Sequence, residues 1–351
     1  MELTKEKAQH IAFRPALPTK AFISGHVCYA SVGTKFETIN PADAQVIAND
    51  DHCTGTDRDK WVTAARRSFN DGRWSRAGPE YCKKTLLRLA TLIRKNTAEV
   101  TIVESLNSGK TGTDYLHEID NEVADHFQWY AELADKTFGK VGPTGKEAMA
   151  LVVNEPSGVV GLILPWNFPL LMAAWEMASA LDAGCSCIVK KAVQTPLTAL
   201  RLAQLAQKAG VPDGVLSALL GMKETTGQTI WRHNDIDIVC FTGSTKVGRY
   251  FLHYAGESNP KRVVLEIGGK SQFIILDDAD LTDDLSEHAA TAVFWTSGQN
   301  CYADMRQIVD AKIADSFLEK VIVRAKAYRV GDLLDPSWDN GAIVTQEHMA
   351  A

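Results

Sequence analysis

VVGLILPWNFPLLMAAWEMASALDAGCSCIVK, residues 159–190, decides the fold. A short apolar run (159–164) meets two prolines, a helical pattern follows over 170–183, and a second apolar run closes the unit at 186–190. Apolar strands without polar alternation, joined through a helix, belong to a parallel sheet covered on both faces. The same texture continues downstream. Strands are predicted at VLSALL (215–220), IDIVCF (236–241), RVVLEI (262–267) and SQFIIL (272–276, entered from Ser271), with helical patterns at 196–209, 225–233 and 244–255. Ligands of such a sheet sit beyond the carboxyl ends of its strands.

Upstream, the first 140 residues read as a short strand region followed by helices. Thr56 is the expected cap of a segment carrying Trp61, Ala65 and Phe69, with Gly72 as its stop. A second helix has Leu86, Leu89, Ala90 and Ile93 on one face. A third and longer one carries Leu116, Ile119, Val123, Phe127 and Tyr130. These stripes are packing faces, and the charged residues between them are expected in solvent. AMALVVNEPS (148–157) alternates, which predicts a hairpin leaving the domain body.

A chain of 351 residues suggests two domains or one large one. With 45% apolar and 23% charged residues it has the composition of a folded protein rather than a disordered one. The net charge of −6 argues against nucleic-acid binding. No eighteen-residue apolar run could span a membrane, and MELTKEKAQHIAFRPALPTK has no secretory apolar core. Seven scattered cysteines fit a reducing compartment, so a cytoplasmic location is expected. Cys185 and Cys187 lie too close to bridge and lack a second pair for zinc, so no metal is expected.

Four segments carry candidate chemistry. FTGSTKVG (241–248) ends a strand and opens a helix, offering free N–H groups to a phosphate; its plain alternative is an ordinary β–α turn. No Gly-x-Gly-x-x-Gly supports it. PWNFP (165–169) would hold the Asn167 amide rigidly where ligands bind; its plain alternative is a satisfied loop Asn. LEIGGKS (265–271) puts Glu266 at a strand end, where partial desolvation would make it a useful base; otherwise it is a solvated terminus. SGQNCYAD (297–304) sets Cys301, alone of the seven, in a polar Gly-bearing turn, which suits a nucleophile; the plain alternative for a lone cysteine is an inert buried residue.

Taken together, these segments resemble the aldehyde dehydrogenase superfamily. PWNFP, VK-x-x-x-QTPLTAL (189–200), AGVPDGVL (209–216), HNDID (233–237), FTGST, LEIGGKS and GQNC occur in its order, from Phe22 onward. AGESNPKRVVLE (255–266) is most similar to γ-glutamyl-γ-aminobutyraldehyde dehydrogenases. The resemblance implies an α/β fold with a Rossmann-type parallel sheet, an N-terminal helical region and an incomplete catalytic domain. It implies a dinucleotide-binding domain over 1–140 and 158–267, an oligomerisation hairpin over 141–157 and a partial catalytic domain over 268–351.

It also implies roles. Cys301 is the nucleophile, Asn167 holds the oxyanion and Glu266 activates water. NAD or NADP is expected on Leu164, Pro165, Trp166, Lys190, Val193, Gly221, Gly243, Ser244, Val247 and Gly268. Phe168, Met172 and Trp175 line the substrate tunnel. The partners implied are a small-molecule aldehyde, with an aminoaldehyde among the candidates, and a homo-oligomer or larger assembly.

Departures from the family pattern leave points open. Lys-Pro-Ala-Glu reads Lys190-Lys191-Ala192-Val193, so the glutamate that bonds ribose hydroxyls is missing. Lys191 either favours a 2′-phosphate or does nothing. Gly-x-Gly reads Gly221-Met222-Lys223, Trp-Lys reads Trp175-Glu176, and the following proline is Ser179. A small-residue pair after the nucleophile is replaced by Asp304 and Met305. Two functions follow: oxidation of an aldehyde to an acid, or a catalytically silent structural subunit.

Overall fold

A computed structural model describes residues 4–12, 17–222 and 226–350. The N-terminal region contains helix α1 (Lys5–Ala12), strands β1 (Ala21–Ile23) and β2 (His26–Cys28), and the antiparallel pair β3 (Lys35–Ile39) and β4 (Val46–Asp51). Helices α2 (Gly55–Asn70), α3 (Pro79–Lys95), α4 (Thr97–Ser108), α5 (Gly112–His117) and α6 (Ala124–Leu133) follow. The cap of α2 is Thr54, not Thr56. Asp57, three residues on, turns its carboxylate back to the Thr54 N–H at 3.2 Å, and this fixes the earlier start.

The predicted third helix is continuous but contains a π-helical turn, Glu118–Val123, between α5 and α6. Ile119, Val123 and Phe127 are fully enclosed, as the stripe requires. The expectation that the intervening charges face solvent is corrected at Glu118. It is 3% exposed, because the turn aims it at the equally buried Lys110, 3.8 Å away.

Strands β5 (Lys140–Gly142) and β6 (Ala150–Val152) form the predicted hairpin, with Val141, Leu151 and Val152 exposed. The central sheet is then built from β7 (Val159–Ile163), β8 (Ser186–Lys190), β9 (Leu216–Leu219), β10 (Ile238–Gly243) and β11 (Arg262–Ile267). Between them run α7 (Pro169–Asp182), α8 (Leu197–Ala209), α9 (Gln228–Trp231) and α10 (Thr245–Gly256). Thr225 of the predicted 225–233 helix lies outside the described residues, as does Lys223.

The strand order is β11-β10-β7-β8-β9-β1-β2, parallel from β11 to β9 and antiparallel through β1 and β2. The winding direction reverses between β7 and β10, and a doubly wound sheet opens its ligand crevice there. Strands β7, β8 and β9 are buried at every residue. At Gly161 a Cβ would stand 2.3 Å from the Trp231 ring, so glycine lets the ring pack directly on the strand.

SQFIIL does not join this sheet. Strand β12 (Gln272–Ile275) pairs in parallel with β13 (Arg306–Val309), against helices α11 (Asp283–Phe294) and α12 (Ala314–Ala327). Ile275, Ala289, Ala290, Phe317 and Val321 form their separate core. A last short helix, α13, covers Gln346–Met349. Among the described residues no helix is long and apolar enough to cross a membrane.

Candidate active site

The carboxyl ends of β7, β8 and β10 and the first turn of α10 enclose a cleft of about 680 Å³. Of the residues singled out for a dinucleotide, Leu164, Pro165, Trp166, Lys190, Val193, Gly243, Ser244 and Val247 line it. Ser244 caps α10, accepting the Val247 N–H at 3.3 Å, and Ser244, Thr245 and Lys246 are exposed. The helix therefore presents its positive end to the cleft. Lys190 is buried, its ammonium 3.1 Å from the Lys191 carbonyl.

Two residues of that set stand elsewhere. Gly221 is buried at the end of β9 with φ +156°, and a Cβ there would lie 2.7 Å from the Cys53 carbonyl oxygen. Its glycine is demanded by the backbone. Gly268 is exposed and donates its N–H to Gly243 at 3.0 Å, extending the β10–β11 ladder. The sequence reading missed an aromatic wall of Trp231, Phe241, Tyr250, Phe251 and Tyr254. Its signal was present in the spacing 247, 250, 251 and 254 along α10.

Lys191 also lines the cleft, but its ammonium is bonded inward. The residue is 3% exposed and its ammonium donates to the Pro169 carbonyl, while burial lowers its pKa to about 8 against the pull of Glu104 and Glu176. A phosphate in the cleft would have to compete with those carboxylates.

Asn167 joins the cleft to the cysteine turn. Its Nδ2 donates to the Gln299 carbonyl at 2.9 Å, and its Oδ1 accepts the Phe168 N–H at 3.1 Å. One amide hydrogen remains for a ligand. Cys301 follows a tight turn in which Thr296 and Ser297 both have left-handed φ (53° and 57°). Such strain persists only where surroundings hold it. Here Asn340 does so, its Oδ1 accepting the Ser297 N–H at 3.3 Å and its Nδ2 donating to the Phe294 carbonyl at 2.9 Å. The buried Gln299 side chain accepts the Val344 N–H at 2.9 Å. None of these supports was legible in the sequence.

Glu266 lies in β11, in register with Thr242 of β10. It is exposed, so the expected desolvation is absent; among the described residues, edge strand β11 has no neighbour on its outer side. A Cβ on Gly269 would be 3.9 Å from the Cys301 carbonyl oxygen, so the turn after Glu266 reaches the cysteine loop.

The three tunnel candidates differ in setting. Phe168 and Met172 are buried, at 2% and 7% exposure, and Trp175 is exposed. The Phe168 ring is stacked with Tyr302 at 6.4 Å, and the Lys110 ammonium lies 3.3 Å from its centroid. Trp175 stacks on His126 at 5.5 Å. His126 borders a second cavity of about 420 Å³ with Glu122, Asp125, Trp129 and Tyr130, of which the sequence singles out only Tyr130, as part of a packing stripe.

Cys301 is the only exposed cysteine among the seven. Burial pushes the Cys53 and Cys240 thiols up to about 12 and Cys82 to about 11. Iodoacetamide at neutral pH is therefore expected to modify Cys301 first, since only a thiolate reacts. Peptide mapping that found Cys53, Cys82 or Cys240 labelled at the same rate in the folded chain would contradict this.

Residues 29–351 match the aldehyde dehydrogenase family. The chain is 44% identical over 346 residues to aminoacetaldehyde dehydrogenase of Pseudomonas aeruginosa, covering 99% of this chain and 70% of that protein. The crystal structure of γ-glutamyl-γ-aminobutyraldehyde dehydrogenase from Burkholderia cenocepacia superposes with a TM-score of 0.96 at 41% identity, over 99% of this chain and 70% of that one. Indole-3-acetaldehyde dehydrogenase of P. syringae, solved with NAD+ and IAA, gives a TM-score of 0.97 at 39% identity with the same coverage. With its doubly wound sheet, cleft and cysteine turn, the chain belongs to the aldehyde dehydrogenase family.

Proposed function

We propose that this chain oxidises an aldehyde bearing an amino group to the carboxylic acid, with NAD or NADP as the acceptor. The observation that carries the reading is the Asn167–Gln299 hydrogen bond, which ties the mouth of the dinucleotide cleft to the turn of Cys301. The cleft fits the cofactor by its donor set. The exposed first turn of α10 suits a pyrophosphate, Lys190 and Val193 stand at the ribose end, and Leu164, Pro165 and Trp166 form the wall toward Asn167. When bound, the dinucleotide supplies a hydride acceptor.

The chain's own residues then divide the work. Cys301 attacks the carbonyl carbon through its sulfur. The second Asn167 amide hydrogen and the Cys301 N–H stabilise the oxyanion. Glu266, exposed to solvent, takes a proton from the water that releases the acid from Cys301. Phe168, Met172 and Trp175 shape the approach, with Phe168 buried as its support. Gly221 and Gly268 act through backbone shape. The cavity beside Trp175 supports the aminoaldehyde: Glu122 and Asp125 offer carboxylates next to Trp129 and Tyr130, a setting that suits an ammonium. Asp125 already pairs with Arg94, leaving Glu122 as the main acceptor.

In the same reading, 1–140 with 158–267 forms the dinucleotide-binding domain and 268–351 belongs to the catalytic domain. The exposed hairpin within 141–157 meets a second copy of the chain. The test is to supply a short ω-aminoaldehyde and its N-acetylated form with NAD or NADP, and to follow reduced cofactor and acid. Faster turnover of the free amine is expected. Cofactor binding without any acid would instead favour the catalytically silent subunit.

Val193 offers no acceptor to ribose hydroxyls. Placing a carboxylate there by Val193→Glu is expected to tighten NAD binding about tenfold, as a hydrogen bond to a charged group contributes roughly 1.5–3 kcal/mol. Calorimetry that found unmodified and substituted chains binding NAD equally would refute this account of the ribose end.

A further inference from the structure

Helix α4 ends at Ser108, where Gly109 turns with φ +86°, and Thr111 opens α5 by accepting the Asp114 N–H at 3.3 Å. Lys110, fixed between these two caps, is carried inward and is 3% exposed. Its ammonium lies 3.3 Å from the centroid of the Phe168 ring, 5.0 Å from that of Tyr115 and 6.0 Å from that of Trp295. Glu118 stands 3.8 Å away. Neither Lys110 Nζ nor the two carboxylate oxygens of Glu118 have a hydrogen-bond partner among the described residues. An ammonium stripped of water in this way is held by its counter-ion and by ring faces turned toward it, so the rings are oriented as well as packed.

The same rings border both reacting groups. Phe168 follows Asn167 in the chain, and its N–H donates to Asn167 Oδ1 at 3.1 Å. Tyr302 follows Cys301, and its ring is stacked with Phe168 at 6.4 Å and tilted against Trp295 at 6.4 Å. Trp295 opens the strained turn before Cys301 and lies 5.8 Å from Phe168. Its indole N–H donates to Asp114, in the first turn of α5, at 3.1 Å. The cluster therefore touches the chain on both sides of the reaction centre.

We infer that Lys110 is a positioning residue for the oxidation: its ammonium fixes the Phe168 ring, and through that ring the aim of the Asn167 amide and the seat of the turn carrying Cys301. The inference rests on the roles given to Asn167 and Cys301 above. Each link is a contact already named, from ammonium to Phe168 ring, from Phe168 N–H to Asn167 Oδ1, and from Asn167 Nδ2 to the Gln299 carbonyl. If the ring swings, Phe168 moves its N–H, and the free amide hydrogen of Asn167 no longer points where the oxyanion forms. A misplacement on the order of 1 Å can slow a reaction about 10²-fold. Glu118 has the supporting part of balancing the buried charge.

The test compares the full chain with Lys110→Met/Glu118→Gln, which removes both charges at similar side-chain size and leaves no buried ion unpaired. With a short ω-aminoaldehyde and NAD, kcat is expected to fall about tenfold or more, with KM for NAD unchanged and unfolding within a few degrees. Lys110→Arg, which keeps a cation beside the rings, should retain more of kcat than the charge-free chain. Tyr302 reports the geometry without turnover. In ¹⁹F NMR of the chain labelled with 3-fluorotyrosine, its signal is assigned by its loss in Tyr302→Phe. That signal should shift in the charge-free chain and return toward its original place in Lys110→Arg. Should the charge-free chain fail to fold, Lys110→Gln/Glu118→Gln, whose amides can bond each other, replaces it with the same expectations. An unmoved Tyr302 signal overturns the inference, and so does a moved signal with kcat unchanged. If the unmodified chain oxidises no aldehyde, the proposed function fails, and the Tyr302 signal alone then decides whether Lys110 holds the rings.

Discussion

Cys301→Ala is expected to abolish acid formation, with a loss on the order of 10⁴-fold or more, while dinucleotide binding stays unchanged. Removing a nucleophile leaves only the binding and polarising groups, which cannot form the covalent bond. Cofactor binding should survive because the eight cleft residues named for it lie on β8, β10, α10 and the loops that leave β7, β8 and β10, whereas Cys301 sits on the separate turn after α11. Cys301 is exposed, so the substitution opens no core cavity and unfolding should shift little. Single-turnover measurement of reduced cofactor checks the chemistry, and calorimetry with NAD checks the binding. Acid formed by the alanine variant at an appreciable fraction of the original rate would remove Cys301 from the mechanism.

Asn167→Ala should lower kcat by about 10²–10³-fold, the usual cost of one oxyanion donor, with a smaller change in KM. The structure adds a second expectation. Asn167 also holds the Gln299 carbonyl and the N–H of Phe168, which caps α7, so the alanine variant loses the tie between cleft and turn. Asn167→Asp separates the two effects. It can still accept from Phe168, but it cannot donate to an oxyanion or to Gln299, and its charge opposes the developing negative oxygen. The aspartate variant is therefore expected to be at least as slow as alanine, with unfolding within a few degrees of the original. Equal kcat in all three chains would end the oxyanion assignment.

The parallel sheet was readable because its signal is local. VVGLI, SCIVK and LSAL are apolar at nearly every position, and the intervening helices carry unbroken apolar faces, so each piece states its burial independently of the rest. The failures share one cause. Glu118, Lys191 and Glu176 look like surface charges one at a time, and only their opposed positions in the fold bring them together as a buried group. SQFIIL has the same texture as RVVLEI, yet it pairs with Arg306–Val309, which lies further along the chain and is hidden by its mixed composition.

By itself the sequence determined the strand–helix alternation, the position of PWNFP and FTGST at the carboxyl ends of strands, and the ordered motifs that mark the family. Periodicity and turn chemistry act over a few residues, and a linear string records them. Tertiary structure alone decided which side chains share a cavity and which charges lose their water. It sent Lys191 inward to Pro169 and left Glu266 in solvent on edge strand β11. It placed Asn340 and Val344 against the turn of Cys301. Those outcomes depend on contacts between segments far apart in the chain, and burial, which sets the cost of a charge, exists only after the segments have packed.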